Sequence, residues 1–129
     1  MVFLSQKQGF LGLDAVQKKD PNVIVVPFGL EKTVSYGGGT RNGPREIIKA
    51  SHQVELFDEE LNKEPYKEIG IKTIKPFTIK KKITSALDQL SNINKKIIEE
   101  GKFPLVLGGE HSITPASIKP FANKFDQIT

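Results

Sequence analysis

Residues 83–109 decide the fold, and they read ITSALDQLSNINKKIIEEGKFPLVLGG. The first part of this segment carries apolar residues at steps of one, three and four, which is typical of a helix that buries one face. The residues of this apolar stripe are Ile83, Ala86, Leu87, Leu90, Ile93, Ile97 and Ile98. Gly101 follows where a left-handed residue commonly ends a helix. The continuous apolar run 103–107 then predicts a strand that is buried on both faces.

A second apolar run lies upstream at Val23–Phe28, and its β-branched residues also predict a buried strand. Pro44 favours a short helix over 44–51, because the N–H that proline lacks would be unpaired in a first helical turn anyway. Shorter apolar stretches predict strands at 54–57 and 71–74. A strand–helix–strand order predicts an α/β fold with a parallel sheet covered by helices.

Parallel sheets of this kind bind ligands beyond the carboxyl ends of their strands. Two loops are predicted at that edge. One follows Val23–Phe28 and contains Gly37-Gly38-Gly39, and the other begins at Gly108. Functional residues are therefore expected in these two loops.

The composition of the 129-residue chain is that of a single domain with a substantial core. The absence of cysteine excludes a disulfide framework, a cysteine-ligated zinc site and a thiol nucleophile, and it favours a cytoplasmic protein. The longest apolar run is far shorter than the roughly 20 residues that cross a bilayer. The first residues also lack the basic and apolar regions of a signal peptide, so no membrane association is expected.

The net charge of +4 comes from 19 basic and 15 acidic residues. No arginine or aromatic residue interleaves with the lysines at 80–82, which favours a solvated helix entrance over a nucleic-acid site. All basic residues are lysines except Arg41 and Arg45. The planar guanidinium fork at these two positions favours either a structural clamp on a carbonyl or carboxylate, or direct contact with a ligand.

The glycine-rich loop 35–45 leads into the helix predicted over 44–51. Neither phosphate-binding template fits it, because Asn42 occupies the third glycine position of G-x-G-x-x-G and no Lys-Ser or Lys-Thr pair follows. We expect a rigid loop that borders a pocket. Its candidate pocket residues are Tyr36, Gly39, Arg41 and Arg45.

The segment 108–112 places an acid, an imidazole and a hydroxyl directly after a predicted strand. His111 at such a position can bind a metal through one ring nitrogen while a neighbour orients the other, and Glu110 or Ser112 is a candidate for that role. The alternative is a half-buried histidine bonded to a backbone carbonyl. The other histidine, His52, follows a short helix in polar sequence and is predicted to lie on the surface.

Three stretches in this order resemble the ureohydrolase superfamily of arginases and agmatinases, with the agmatinase branch nearer. They are 26–28 together with Ser35-Tyr36, then 39–48, and then 105–114, which is the most specific. The resemblance implies a three-layer α/β/α fold with a mainly parallel sheet. It also implies that residues 1–129 form the amino-terminal part of a single ureohydrolase domain.

Agmatinase-like enzymes, by this resemblance, use two manganese ions to generate the hydroxide that attacks a guanidinium carbon. The products from agmatine are urea and putrescine. The resemblance implies a small guanidinium substrate and a homo-oligomer, with no nucleic acid as partner. It matches His111 to a metal ligand of the family, and it matches Gly108, Gly109, Glu110 and Ser112 to the turn that aims this histidine.

This sequence departs from the family in lacking the Asp-Ala-His-x-Asp and Ser-x-Asp-x-Asp segments that supply the other ligands. Asp126 carries the only carboxylate after His111, and it matches no ligand motif. We therefore expect this polypeptide alone to bind manganese weakly and to be inactive. The alternatives are a non-catalytic binding module of the same fold with an exposed strand edge, or another specificity: arginase, guanidinobutyrase or formiminoglutamase.

Overall fold

A three-stranded parallel sheet forms the centre of the computed structural model, which describes residues 1–14 and 20–128. The strands are β1 (Val23–Phe28), β2 (Ile71–Thr73) and β3 (Phe103–Gly108), in the order β2-β1-β3. Val23 of the central strand pairs with Ile71 on one side and with Phe103 on the other. The predicted parallel sheet is therefore confirmed, with β1 buried between two neighbours.

Four α-helices accompany the sheet in the described part of the chain. They are α1 (Gly43–Ser51), α2 (Pro65–Ile69), α3 (Ile83–Glu99) and α4 (Thr114–Ala122). Short 3-10 turns lie at Gln6–Gln8, Phe10–Gly12, Thr40–Asn42 and His111–Ile113. The helices predicted over 44–51 and from Ile83 are confirmed. Gly101 has a φ of +74°, which confirms the left-handed end after α3.

The two faces of the sheet are covered by different elements. The apolar stripe of α3 and one residue of α4 pack on the face formed by Ile24, Val26 and Phe28. The opposite face, which includes Val25, packs against Tyr66 of α2 and the amino-terminal 3-10 segment. Successive side chains of β1 point to opposite faces, so this one strand contributes to both cores and defines the three-layer α/β/α arrangement.

Two prolines lie in the strands, and the backbone position of each faces a side where no strand pairs with it. The Val25 carbonyl accepts a hydrogen bond from the Ile74 amide, so the backbone of Val25 faces β2. Residues two apart face the same side of a strand, so Pro27 also faces the β2 side, beyond the last residue of β1 that pairs with β2. Phe103 donates to Asn22 of the β1 side, so Pro104 faces the outer edge of β3. Both positions satisfy the rule that a proline in a sheet needs a side without a partner.

The strand predicted at 54–57 is wrong. Val54 and Phe57 are exposed, and the chain there forms a turn that closes with a bridge between Asp58 and Lys63. The outer edge of β2 is already paired with residues 2–4, through hydrogen bonds from Leu4 to Thr73 and from Lys75 to Val2. The 54–57 stretch therefore cannot pair at the β2 edge, and it forms no ladder with the described strands. The short strand predicted at 71–74 is confirmed as β2.

Candidate functional site

The loops after β1 and β3 lie side by side at the carboxyl edge of the sheet. Phe28 pairs with Gly108 at the last position of the ladder, and the Gly109 amide still donates to the Phe28 carbonyl at 3.2 Å. The Glu110 amide then donates to the Leu30 carbonyl at 2.9 Å. Parallel pairing thus continues beyond the strands and brings the two predicted functional loops together.

Close approach of these loops requires glycine at Gly109. A Cβ added there would overlap the carbonyl oxygen of Leu30. The same is true of Gly29, where a Cβ would overlap the carbonyl oxygen of Arg41. The crossing at Gly109 fixes the two loops against each other, and the crossing at Gly29 folds the first loop back on itself. Neither crossing leaves room for a methyl group.

The Glu110 carboxylate ties the second loop to the first. Only 7% of Glu110 is exposed. Its oxygens accept hydrogen bonds from the Thr33 amide at 2.7 Å, the Thr33 hydroxyl at 2.8 Å and the Lys32 amide. The Ser112 hydroxyl donates to the same carboxylate at 2.5 Å. Glu110 and Ser112, the candidates for orienting the His111 ring, thus bond to each other and to the first loop in this structure, and that role stays a prediction.

The charge of Glu110 is stabilised by these donors. Burial by itself would raise the pKa of Glu110, but the hydrogen bonds from Ser112 and then from the Thr33 and Lys32 amides outweigh it. The pKa falls from 4.5 to about 2. The carboxylate is thus fully ionised at neutral pH and accepts from donors on both loops.

A second carboxylate, that of Glu31, holds the glycine-rich loop. It accepts from the Gly39 amide at 2.7 Å, the Arg41 amide at 3.0 Å and the Thr40 hydroxyl at 3.1 Å. The Arg41 guanidinium adds a hydrogen bond from Nε at 3.1 Å and an ion pair at 2.8 Å. The Arg41 amide leads the effects that lower the pKa of Glu31 to about 2, against the opposing effect of burial. Of the two roles proposed for arginine, Arg41 thus takes that of a structural clamp.

Glu31 is a further residue of this site, beyond those that the sequence motifs indicate, and its position in the sequence carries a signal. It stands at the carboxyl edge, immediately before a loop whose glycines free backbone amides for hydrogen bonding. A carboxylate at that point is the group that such amides need.

His111 presents its imidazole at the start of the 3-10 turn His111–Ile113, directly after β3. The residue is exposed, and its Nδ1 lies 3.3 Å from the Thr114 hydroxyl. Its Nε2 has no hydrogen-bond partner among the described residues. The ring borders an open groove of about 450 Å³, together with Gly108, Glu110 and Ser117. This arrangement differs from the alternative of a half-buried histidine bonded to a backbone carbonyl, and it leaves one ring nitrogen available to a ligand.

A sequence model of the arginase family matches residues 21–129, which are most of this chain. The chain belongs to the arginase family. The N(1)-aminopropylagmatine ureohydrolase of Synechocystis is 34% identical to it over 127 residues, which are 91% of this chain and 40% of that protein. The agmatinase of Bacillus anthracis is 31% identical over 114 residues, which are 85% of this chain and 38% of that protein. This arginase-family chain therefore spans about 40% of the length of these curated relatives.

Solved structures of this family share the fold. The agmatine ureohydrolase of Thermoplasma volcanium superposes with a TM-score of 0.72 at 22% identity, over 91% of this chain and 39% of that chain. The arginase of Bacillus subtilis superposes with a TM-score of 0.60 at 25% identity, over 82% and 35% of the two chains. The fold class predicted from the sequence is thereby confirmed as arginase-like, with the match limited to part of the complete fold.

The described residues of this arginase-family chain fit one metal ligand. Residues 1–14 and 20–128 contain no group of three or more His, Cys, Asp or Glu side chains that could hold a metal ion. The nearest acid to His111 in sequence is Glu110, whose two oxygens are both engaged by Ser112 and the first loop. One imidazole without a carboxylate partner does not match the oxygen-rich ligand set that manganese prefers.

The remaining candidates lie at the periphery of this edge. Tyr36 is 97% exposed at the tip of the glycine-rich loop. Arg45 forms an exposed ion pair with Glu46 at 2.8 Å and, with Arg41, borders a cavity of about 490 Å³. His52 is exposed, as predicted, and its Nε2 lies 2.8 Å from the Gly9 carbonyl oxygen.

Two expectations drawn from composition can also be compared with the structure. The lysines at 80–82 are exposed immediately before α3, which confirms the solvated helix entrance. No helix in the described part of the chain has the length and apolar character needed to span a bilayer.

Proposed function

We propose that residues 1–129 form the amino-terminal part of an agmatinase-like ureohydrolase domain. In this proposal the complete enzyme hydrolyses the guanidinium group of agmatine to urea and putrescine with two manganese ions. The observation that carries it is the His111 imidazole, presented with a free Nε2 at the carboxyl end of β3 in a chain of the arginase family. Relatives that match over 85% or more of this chain include proteins named for agmatine chemistry.

His111 would supply one nitrogen ligand to the metal centre, and Glu110 would stay a structural residue. Manganese bound there would lower the pKa of a water molecule, which is the chemistry that a poorly electrophilic guanidinium carbon requires. The role of this part of the chain is positional. Glu110 and Glu31 hold the two loops in place while ionised, and this support fixes the backbone that carries His111.

The 129-residue polypeptide alone is proposed to be inactive and to bind manganese weakly. Its described residues offer one imidazole where two manganese ions need several carboxylates. The complete enzyme is proposed to be a homo-oligomer that acts on a small guanidinium compound. The cysteine-free sequence favours a cytoplasmic location for it.

A second candidate substrate is agmatine that carries an aminopropyl group. It is favoured by the Synechocystis relative, which is named for that compound and is 34% identical over 91% of this chain. Both substrates present the same guanidinium group, so the two proposals share the site and differ in what the rest of the pocket contacts. Urea release from each compound at equal concentration would distinguish them.

The experiment that tests the proposal compares urea release by the complete protein that carries this segment with urea release by the 129-residue chain. We expect manganese-dependent activity in the complete protein only. In the complete protein, His111→Ala should abolish most activity and lower the bound manganese measured by elemental analysis, because a ligand is lost. His52→Ala is the matched histidine control and should retain both. Full metal content and normal turnover in His111→Ala would contradict the proposal.

A further inference from the structure

The segment 54–61 leads into the turn closed by Asp58 and Lys63, and it combines acidic residues with exposed apolar side chains. Val54 is 56% exposed, Phe57 51% and Leu61 56%. Such exposure leaves these three apolar side chains available to a molecule that covers them. We refer to residues 54–61 as the acidic turn.

The carboxyl-terminal half of the acidic turn, from Asp58 onward, is ordered by local hydrogen bonds. The Asp58 amide donates to the Lys63 carbonyl at 2.8 Å, and the Lys63 amide donates back at 3.2 Å. The Asp58 carboxylate accepts from the Leu61 amide at 2.8 Å. A turn that is already ordered in this way pays little conformational entropy when it binds.

Three glutamates of the acidic turn carry negative charge without a basic partner. Glu55, Glu59 and Glu60 are exposed, and none of them forms an ion pair with another described residue. Glu64 and Glu68 nearby are paired with lysines instead. The acidic turn thus combines apolar side chains with free carboxylates.

A groove of the complementary character lies between the amino-terminal segment and α3, with a volume of about 650 Å³. Its floor includes Val2, Phe77 and Ile93, and its rim carries Lys75, Lys80 and Lys96. We refer to it as the basic groove. The three rim lysines are exposed, and none of them forms an ion pair within the described part of the chain. None of the described residues that line this groove is acidic.

We infer that the acidic turn of one copy of this chain docks in the basic groove of a second copy. The turn offers apolar side chains to an apolar floor, and its three free glutamates face three free lysines across the rim. Such matching of opposite charges favours one partner over others and speeds association. Each copy carries both halves, so the contact can repeat or close upon itself.

The contact can be tested by sedimentation of the chain at about 50 mM and about 500 mM salt, where screening differs strongly. We expect self-association at low salt that weakens about tenfold or more at high salt. Lys75→Glu with Lys80→Glu should make the chain monomeric at low salt, and so should Glu59→Lys with Glu60→Lys. An equimolar mixture of these two double variants should associate again, because each cross-contact then joins opposite charges.

The matched control is Lys49→Glu with Lys119→Glu, which changes the same net charge on α1 and α4 outside the groove and should leave association unchanged. Phe57→Ser should weaken association without altering the charge. Circular dichroism of each variant reports whether it is folded. A monomeric wild-type chain, or association that survives both double variants, would overturn the inference. Association that survives both double variants would be expected if the copies paired through the open edge of β3 instead.

Discussion

The Glu110 carboxylate, which follows β3, accepts a hydrogen bond of 2.7 Å from the amide of Thr33, which lies 77 residues earlier in the loop after β1. This contact joins the two loops at the carboxyl edge of the sheet. It holds the segment that carries His111 against a loop that follows a different strand.

Glu110→Gln should destabilise the chain by about 2 kcal/mol, the scale of a buried hydrogen-bond network with a charged acceptor. The glutamine amide group would turn a donor toward the donors of Thr33, Lys32 or Ser112. Chemical denaturation measures the change. Glu46→Gln is the control, because its ion pair with Arg45 is exposed and should contribute less than about 1 kcal/mol. Equal effects of the two substitutions would contradict the role of Glu110.

Stability should fall with acidification in a window set by Glu110. Its pKa is lowered from 4.5 to about 2, so the folded state holds its carboxylate ionised where the unfolded chain takes up a proton. The contribution of Glu110 to the free energy of unfolding is complete well above pH 4.5 and is lost as the pH falls toward about 2. The slope of this free energy is at most about 1.4 kcal/mol per pH unit for one proton. Denaturation series between these pH values should show a shallower slope in Glu110→Gln. An unchanged slope would contradict the prediction.

Gly109→Ala should cost about 2–3 kcal/mol or prevent folding, because the added methyl group overlaps the Leu30 carbonyl and the backbone must shift. Thermal denaturation followed by circular dichroism measures this loss. The control is Gly38→Ala, whose Cβ would lie 3.6 Å from a Glu31 carboxylate oxygen, an ordinary contact. That variant should be nearly as stable as the wild type. A tolerated Gly109→Ala would show that the loops can separate.

Glu31→Gln should loosen the glycine-rich loop with little effect on the rest of the chain. The amides of Gly39 and Arg41 lose a charged acceptor, so their hydrogen exchange should accelerate by about tenfold. Exchange measured residue by residue by NMR would detect this. The amides of β1 serve as the internal reference and should be unchanged. Uniform acceleration across the chain would indicate a global effect instead.

Asn94→Leu should change stability by less than about 1 kcal/mol despite the burial of Asn94 in α3. This side chain is 1% exposed, and its Oδ1 has no partner while its Nδ2 donates to the Ser117 carbonyl at 3.2 Å. Removing an unsatisfied buried acceptor offsets the lost hydrogen bond. By contrast, Leu90→Ala in the same helix should cost about 3 kcal/mol, because it opens a cavity in the core. Denaturation of both variants gives the comparison.

The elements with a periodic sequence pattern could be predicted, and the loop contacts could not. The stripe of α3 and the apolar run of β1 fix a helix and a buried strand locally, because burial imposes a period on each. The clamps formed by Glu31 and Glu110 depend on backbone amides, which every non-proline residue carries, so the sequence does not show which amides each carboxylate reaches. The strand predicted at 54–57 is wrong for a related reason. An apolar stretch does not by itself reveal whether it pairs with a sheet.

The outer edge of β3 follows from the placement of Pro104. Since Pro104 contributes no N–H there and alternate residues face that side, the amide donors of this edge are those of Val106 and Gly108. Both lie in the carboxyl half of the strand, toward the turn that begins at His111. A strand that adds to this edge must therefore take its main-chain register from the end of β3 that leads to His111.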